Sequence, residues 1–446
     1  MKKFLALLMC LALTASLFAG CKKNTQTSQT TIRYLNFKPE IAEVYQKIAD
    51  KYMEEKGVKV IVETAAEGTY ESTLKAKMST SDAPTIFQIN GPKGYAAWKD
   101  YCADLSQTKL YEHLTDRSLA IKSDNKVYGI PYVVEGYGLI YNKAIMDKYF
   151  AMDGRKTDIK SMDDIKSYDT FKAVVDDMTA NKDKLGIQGV FASTSLKAGD
   201  DWRWQTHLAN IPIYYEFKNN EIDLSSDKTD TITFEYGDNF KNIFDLYLGN
   251  SVTEQKMLGT KTVTDSMSEF ALGECAMVQN GNWAWSQISE VKGNVVKSED
   301  IKFMPIYTGV EGEKDQGICI GTENFLSINA KATDEEKKAA EEFLYWLYSS
   351  ESGKNFVTKD LGFIAPFDTF KETEKPEDPL AKEVLRWMEK DDINNIPWIF
   401  TVFPSQTFKD DFGADLLQYA QGTKTWDTVK KDVVSLWDSE AKLSKK

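Results

Sequence analysis

The side chains best suited to chemistry in this 446-residue chain are aromatic rings and amides rather than nucleophiles or metal ligands. Trp283 closes the turn-like run Asn280-Gly281-Asn282-Trp283, in which Gly281 lets the backbone approach a ligand closely. A sugar offers a protein two kinds of surface: apolar C–H ring faces that stack on aromatics, and hydroxyls that want planar polar groups. An indole beside two amides meets both needs, although Trp283 also reads as plain core. Asp200 and Asp201 precede a helical pattern over 202–210, and either accept hydroxyl hydrogen bonds or cap that helix. With only His113 and His207, a His-rich metal site is excluded and His-based catalysis is disfavoured. No motif calls for a cofactor.

Charge narrows the ligand. The chain carries 55 Lys+Arg against 68 Asp+Glu, a net charge of −13, whereas nucleic acid needs a basic footprint. Of the five Arg (Arg33, Arg117, Arg155, Arg203 and Arg386), only Arg203 falls in a candidate loop. Arg is the preferred fork for phosphate or carboxylate, and an acidic surface repels anions. The expectation is a neutral ligand. A cation such as a polyamine is the alternative, served by the acids at 135 and 200–201. The chain's 10 Trp favour an oligosaccharide over a monosaccharide, because each stacked ring asks for its own platform.

These residues need elements to hold them. The alternating run over 31–37 predicts a strand, and Pro39 opens a helix with Ile41, Val44, Tyr45, Ile48 and Tyr52 on one face, ending at Gly57. A strand over 58–63, a helix over 70–78 and a strand over 83–89 follow. Strand, helix, strand, helix, strand is a parallel α/β opening, whose ligands bind beyond the carboxyl ends of the strands. That rule points to Asn36 and Phe37, and to Gln88 and Asn90. Glu135 stands as the one acid within a long β-like run over 127–142. Further helical patterns cover 163–181, 333–349 (Thr333 and Glu336 forming a capping box), 380–390 and 411–420. Trp346, Trp387, Trp426 and Trp437 lie in helical patterns and read as packing. Trp285, on the opposite side from Trp283 in an extended reading, does too. No repeat of solenoid or propeller length is present. Cys102, Cys275 and Cys319 read as buried free thiols.

The amino terminus predicts export. Lys2 and Lys3 precede an uncharged apolar run over 4–18, too short to span a bilayer comfortably but suited to a signal peptide. Leu17-Phe18-Ala19-Gly20-Cys21 resembles the bacterial lipobox, with Phe18 where Leu is usual; an ordinary secretory site is the other reading. Residues 1–20 would be removed, Cys21 would carry the lipid, and 21–31 would form a polar tether. Loss of Lys2 and Lys3 takes the net charge from −13 to −15.

Several fragments together resemble the maltose-binding-like family of extracellular solute-binding proteins that feed ABC sugar importers. They are Asp82-Ala83-Pro84-Thr85-Ile86-Phe87, Lys126-Val127-Tyr128-Gly129-Ile130-Pro131 with Gly138-Leu139-Ile140-Tyr141-Asn142-Lys143, the run over 270–285, Leu361-Gly362-Phe363-Ile364-Ala365-Pro366, and Asn395-Ile396-Pro397-Trp398. Each is weak alone, but their order covers nearly the whole chain. The resemblance implies a periplasmic-binding-protein-like α/β fold of two lobes closing on a ligand cleft. Lobe one would be 32–133 plus 322–370, and lobe two 137–320 plus 371–446. Crossings are expected near 132–136, 321–326 and 367–371. It further implies that Trp283 stacks on a sugar ring, that Trp202 or Trp204 supplies a second platform, and that Glu135 contacts hydroxyls unless it serves the hinge. Tyr137, Asp201 and an aromatic from Trp398, Phe400 and Phe403 join the site. Relatives often carry Trp, Asp or Arg where this chain reads Gln88-Ile89-Asn90-Gly91-Pro92, so the particular sugar is not implied. The expected protein is a monomeric lipoprotein without catalysis, facing outward from the cell membrane and delivering sugar to a permease. A lipid-anchored glycoside hydrolase is the rival from another class.

Overall fold

The computed structural model describes residues 30–224 and 227–443, so the segment 1–20, Cys21 and the tether up to 29 lie outside the described residues. The strands in chain order are β1 (Thr31–Asn36), β2 (Lys59–Thr64), β3 (Ile86–Asn90), β4 (Ile121–Ser123), β5 (Lys126–Pro131) and β6 (Glu135–Asn142). They continue with β7 (Gly189–Phe191), β8 (Cys275–Gly281), β9 (Ile301–Met304), β10 (Gln316–Gly321), β11 (Asn324–Ile328) and β12 (Asn394–Pro397).

Two sheets result, one per lobe. The first has the order β2-β1-β3-β11-β5-β4, with β1 parallel to β2 and β3, and β11 antiparallel to β3 and β5. The second runs β12-β10-β6-β8-β7, with β9 also paired to β6. The chain leaves the first sheet after Pro131, enters the second at Glu135, and returns between Gly321 and Asn324. A last passage lies between Phe367, bridged to Leu114, and the helix Pro379–Met388 that packs on the second sheet.

Local physics accounts for these elements. The helix Ala42–Lys56 buries Tyr45, Ile48, Ala49 and Tyr52 on one face and stops at Gly57, whose φ of 69° suits a residue without Cβ. Thr333 and Glu336 exchange the hydrogen bonds of a capping box at the start of Asp334–Ser349. The expected helix over 202–210 differs in kind: Arg203–Leu208 is a π-helical run leading into the helix Ala209–Asn219. Pro212 lies in the first turn of that helix and has no N–H to offer Leu208, so the narrower α-helical ladder is broken there.

Lobe two holds the larger core, in which Trp204, Phe240, Phe244, Tyr247 and Trp437 are buried together. Trp426 stacks on Phe240, and Trp346 on Phe343 in lobe one, as their helical patterns imply. Cys102, Cys275 and Cys319 are free and buried. Among the described residues no helix is long and apolar enough to cross a membrane.

Candidate functional site

A cavity of about 520 Å³ lies between the two lobes, beyond the carboxyl ends of β1 and β3. Its lobe-two wall is aromatic. Trp202, at the head of the π-helical run, sits 5.9 Å from Trp283 between ring centres, and His207 packs 4.7 Å from Trp202 and 5.5 Å from Trp283. Phe403 completes this wall, held against Phe408 and Trp437.

Gly281 is required for a reason different from close ligand approach. The Trp283 ring folds back over Gly281, where a Cβ would collide with it. Asn282 anchors the turn: its backbone N–H donates to Gly136 O and its Oδ1 accepts from Gly136 N–H at 2.9 Å. The extended reading of this segment gives way to a helix, Ala284–Ser289, that starts right after Trp283. Trp285 is therefore half-buried on that helix and lines a smaller cavity of about 290 Å³, which shares Trp283 and Glu40 with the main one.

The lobe-one wall is mostly carboxylate. Glu40, Glu67 and Glu71 come from loops and helix starts after β1 and β2, and Glu323 from the second crossing. Burial raises the carboxyls of Glu40, Glu71 and Glu323 above their ordinary values. Phe37 and Tyr70 add aromatic surface, in edge contact at 5.3 Å. Asn90 donates toward Glu323 at 3.4 Å.

The lobes touch around the cavity, so the structure is a closed form. Trp202 Nε1–H donates to Glu67 Oε1 at 2.7 Å, and Lys93 Nζ reaches Asp230 Oδ1 at 3.0 Å. At the rim Gly68 lies against Gly199, with room for no Cβ: one built on Gly68 would stand 2.9 Å from Gly199 Cα.

Of the residues singled out from the sequence, Phe37, Asn90, Asp201, Trp202, Trp283 and Phe403 line the cavity. Glu135 and Trp285 line the smaller one, and Asn36, Gln88, Tyr137, Trp204 and Trp398 line neither. Gln88 accepts from Phe37 N–H at 2.7 Å and donates to Tyr132 at 2.8 Å, so it positions Phe37. Asn36 brackets the Lys38 backbone, donating to its carbonyl at 2.7 Å and accepting its N–H at 3.1 Å. Glu135 is 2% exposed, bound to Lys38 Nζ at 2.7 Å, and lines the smaller cavity beside Trp283 and Trp285. Burial works against the Lys38 ammonium, but Glu135 and Glu40 outweigh it and raise its pKa.

Tyr137 is fully buried, donates to His207 O at 2.9 Å, and stacks under the His207 ring at 4.2 Å. It supports a cavity residue rather than facing the cavity. Trp204 is core, 2% exposed against Phe244 and Tyr247, with its N–H bound to Thr194 O. The choice between Trp202 and Trp204 therefore falls on Trp202. Trp398 is 6% exposed, packed over Gly321 and behind Trp283, rather than a lid. Asp200 accepts from Val263 N–H at 2.9 Å, adding to the Thr262 cap of Val263–Ala271 rather than capping the helix that follows it. Burial pushes the Asp201 carboxyl up to about 7.

Sequence reasoning passed over Glu40, Glu67, Glu71, Glu323 and Lys409, all of which line the cavity. Each sits in a loop or helix whose local pattern carries no ligand signal. Only the strand-end rule, extended by a few residues past β1 and β2, points toward the first two glutamates.

Comparison with known proteins fits this architecture. A family model described as bacterial extracellular solute-binding protein matches residues 47–383. The melibiose/raffinose/stachyose-binding protein MelE of Bacillus subtilis is 32% identical over 82 residues, 18% of this chain and 19% of that protein's length. Among solved structures, RafE in complex with raffinose superimposes with a TM-score of 0.68 at 21% identity, covering 92% of this chain and 99% of that one. Maltose-bound MalE3 of T. maritima gives 0.67 at 16% identity, covering 92% and 99%. A Bacillus licheniformis sugar transporter protein in complex with stachyose gives 0.63 at 18%, covering 92% and 100%. With a family model spanning most of the chain and the two-lobed fold in place, this protein belongs to the bacterial extracellular solute-binding proteins.

Proposed function

We propose that this protein captures a neutral carbohydrate, an oligosaccharide, in the cleft between its lobes and delivers it to the permease of an ABC importer. The observation that carries this reading is the pairing of Trp202 and Trp283, with ring centres 5.9 Å apart, opposite the carboxylates and amides of lobe one. Indoles take the C–H faces of sugar rings, and the facing polar groups take hydroxyls. The ligands bound in the similar solved structures (raffinose, stachyose, maltose) are of this class. Trp283, Trp202, Asn90, Asp201 and Phe403 are the proposed contacts from the sequence-derived set, while Asn36, Gln88, Glu135, Tyr137, Trp204 and Trp398 support them from behind.

The bodies that move are 32–133 with 322–370, and 137–320 with 371–446, hinged where the chain passes between sheets. Cys21 carries a lipid that holds the monomer at the outer face of the cell membrane, and no reaction is catalysed in the cleft. A thermal-shift screen of the purified protein against plant, milk and starch oligosaccharides, with spermidine alongside, tests the ligand class. At a hundredfold excess over Kd a bound sugar adds about 2.7 kcal/mol of stability. A shift with spermidine and none with any sugar would move the assignment to a cation. Sugar recovered cleaved would move it to a hydrolase.

A further inference from the structure

Arg203 lines the cavity with most of its hydrogen-bond donors unused, its charge balanced only at a distance by Glu67, Asp200 and Glu40. Its side chain is 2% exposed, yet its buried Nε and Nη2 make no hydrogen bond, and Nη1 reaches only the Asp200 carbonyl, at 3.5 Å. Among the described residues no carboxylate lies within ion-pair distance of it; of the lysines on the wall, Lys38 and Lys93 have partners at 2.7 and 3.0 Å, while Lys409, less deeply buried, has none. The guanidinium carbon stands over Trp202, 3.9 Å from the ring centre. That contact takes up none of its N–H donors. A buried cation with idle donors is costly unless something supplies acceptors.

Resting on the carbohydrate reading, we infer that Arg203 sets the specificity of the cleft: its Nε–Nη2 edge receives two neighbouring hydroxyl oxygens of the sugar ring seated on the Trp202–Trp283 platform. The fork geometry of that edge suits a vicinal diol as it suits a carboxylate. The surroundings favour the diol, because acidic residues of the lining (Glu40, Glu67, Glu71, Asp201, Glu323 and Asp410) outnumber its cations (Lys38, Lys93, Arg203 and Lys409), and a bound anion would raise the acids further. Burial also lowers the Arg203 pKa, to about 10, which marks how poorly the closed cleft solvates its charge without ligand. A consequence follows for motion. When lobe one swings away, water reaches Arg203; closure over an empty cleft strands its donors. Ligand oxygens remove that penalty, so Arg203 couples closure to occupancy.

The test compares wild type with Arg203→Met and Arg203→Lys. Raffinose, stachyose, maltotriose, chitotriose and trigalacturonic acid are titrated calorimetrically, and each ligand-free protein is measured by small-angle scattering and thermal melting. The expected result is a loss of about tenfold to a hundredfold in affinity for the neutral sugar that binds wild type, in both variants, since Lys lacks the fork. Ligand-free Arg203→Met should be more compact than ligand-free wild type and melt no lower. Affinities within twofold of wild type would overturn the specificity role while leaving the sugar reading intact. Trigalacturonic acid bound more tightly than every neutral sugar would replace the diol with a carboxylate. If wild type binds none of the five, the carbohydrate reading fails. In that case an unchanged ligand-free envelope for Arg203→Met would overturn the closure role separately.

Discussion

The two walls of the cleft are built from different materials. Lobe two contributes Trp202, Trp283, His207, Phe403 and Arg203, most of them resting on the larger core through Tyr137, Trp398 and Trp437. Lobe one contributes Glu40, Glu67, Glu71 and Asn90, mounted on loops and helix starts at the ends of its strands. Apolar platforms work best when rigid, because stacking needs a fixed plane, and a rigid plane needs a packed backing. Hydrogen-bonding carboxylates work best when they arrive last, after water has left. For the carbohydrate proposed above, the asymmetry gives an expected order of events: the sugar would settle first on lobe two, and lobe one would close over its hydroxyls.

The contrast breaks first at Trp204. Two residues from a platform indole, it is backing rather than surface, so Trp204→Ala should cost about 3–5 kcal/mol of stability with sugar affinity unchanged in the molecules that remain folded. Denaturant unfolding with calorimetry separates the two effects; a weakened Kd at intact stability would make Trp204 part of the wall.

Asp201 comes next. Burial raises its carboxyl to about 7, so between roughly pH 4 and 7 the folded protein keeps a proton that the unfolded chain has released. Stability from this group is therefore highest below that window, falls as pH rises through it, and stays low above it. Asp201→Asn should be more stable than wild type at pH 8, on the order of 2–4 kcal/mol, with the gap closing near pH 4. Equal melting curves for the two proteins at pH 8 would refute the buried-acid account.

A platform indole should matter to binding and little to folding, so Trp283→Ala should weaken sugar binding tenfold or more, about 1.4 kcal/mol or above, with a wild-type melting profile. The smallest effect belongs to the closing jaw. Glu67→Gln keeps the shape of the Trp202 contact, 2.7 Å long, but removes its charge, and should cost about two- to fivefold in affinity. A larger loss there than at Trp283 would reverse the order of events.

What the sequence showed and what it hid follow the same division. Periodicity and caps placed β1 to β3, the helix stopping at Gly57 and the Thr333–Glu336 box, because these are local and set by neighbours in the chain. The turn over 280–283 was legible as a special site, though Gly281 serves the Trp283 ring itself. Trp202 and Trp204 could not be told apart, since only the π-helical run before Pro212 decides which ring meets the cavity. Glu40, Glu67, Glu71 and Glu323 were hidden for a physical reason: they converge only when segments far apart in sequence fold together to build lobe one. Glu135, at the first crossing, and Trp398, packed against Gly321 at the second, lie within one layer of the cleft, a distance that sequence pattern does not resolve.

The most direct test is a side-by-side calorimetric titration of wild type and Trp283→Ala with raffinose, stachyose, maltotriose and chitotriose, with the sugars recovered afterwards. The account predicts saturable one-to-one binding of at least one of them by wild type, at least tenfold weaker binding by the variant, and sugar returned intact. No binding of any of the four by wild type, or equal affinities in the two proteins, would contradict it.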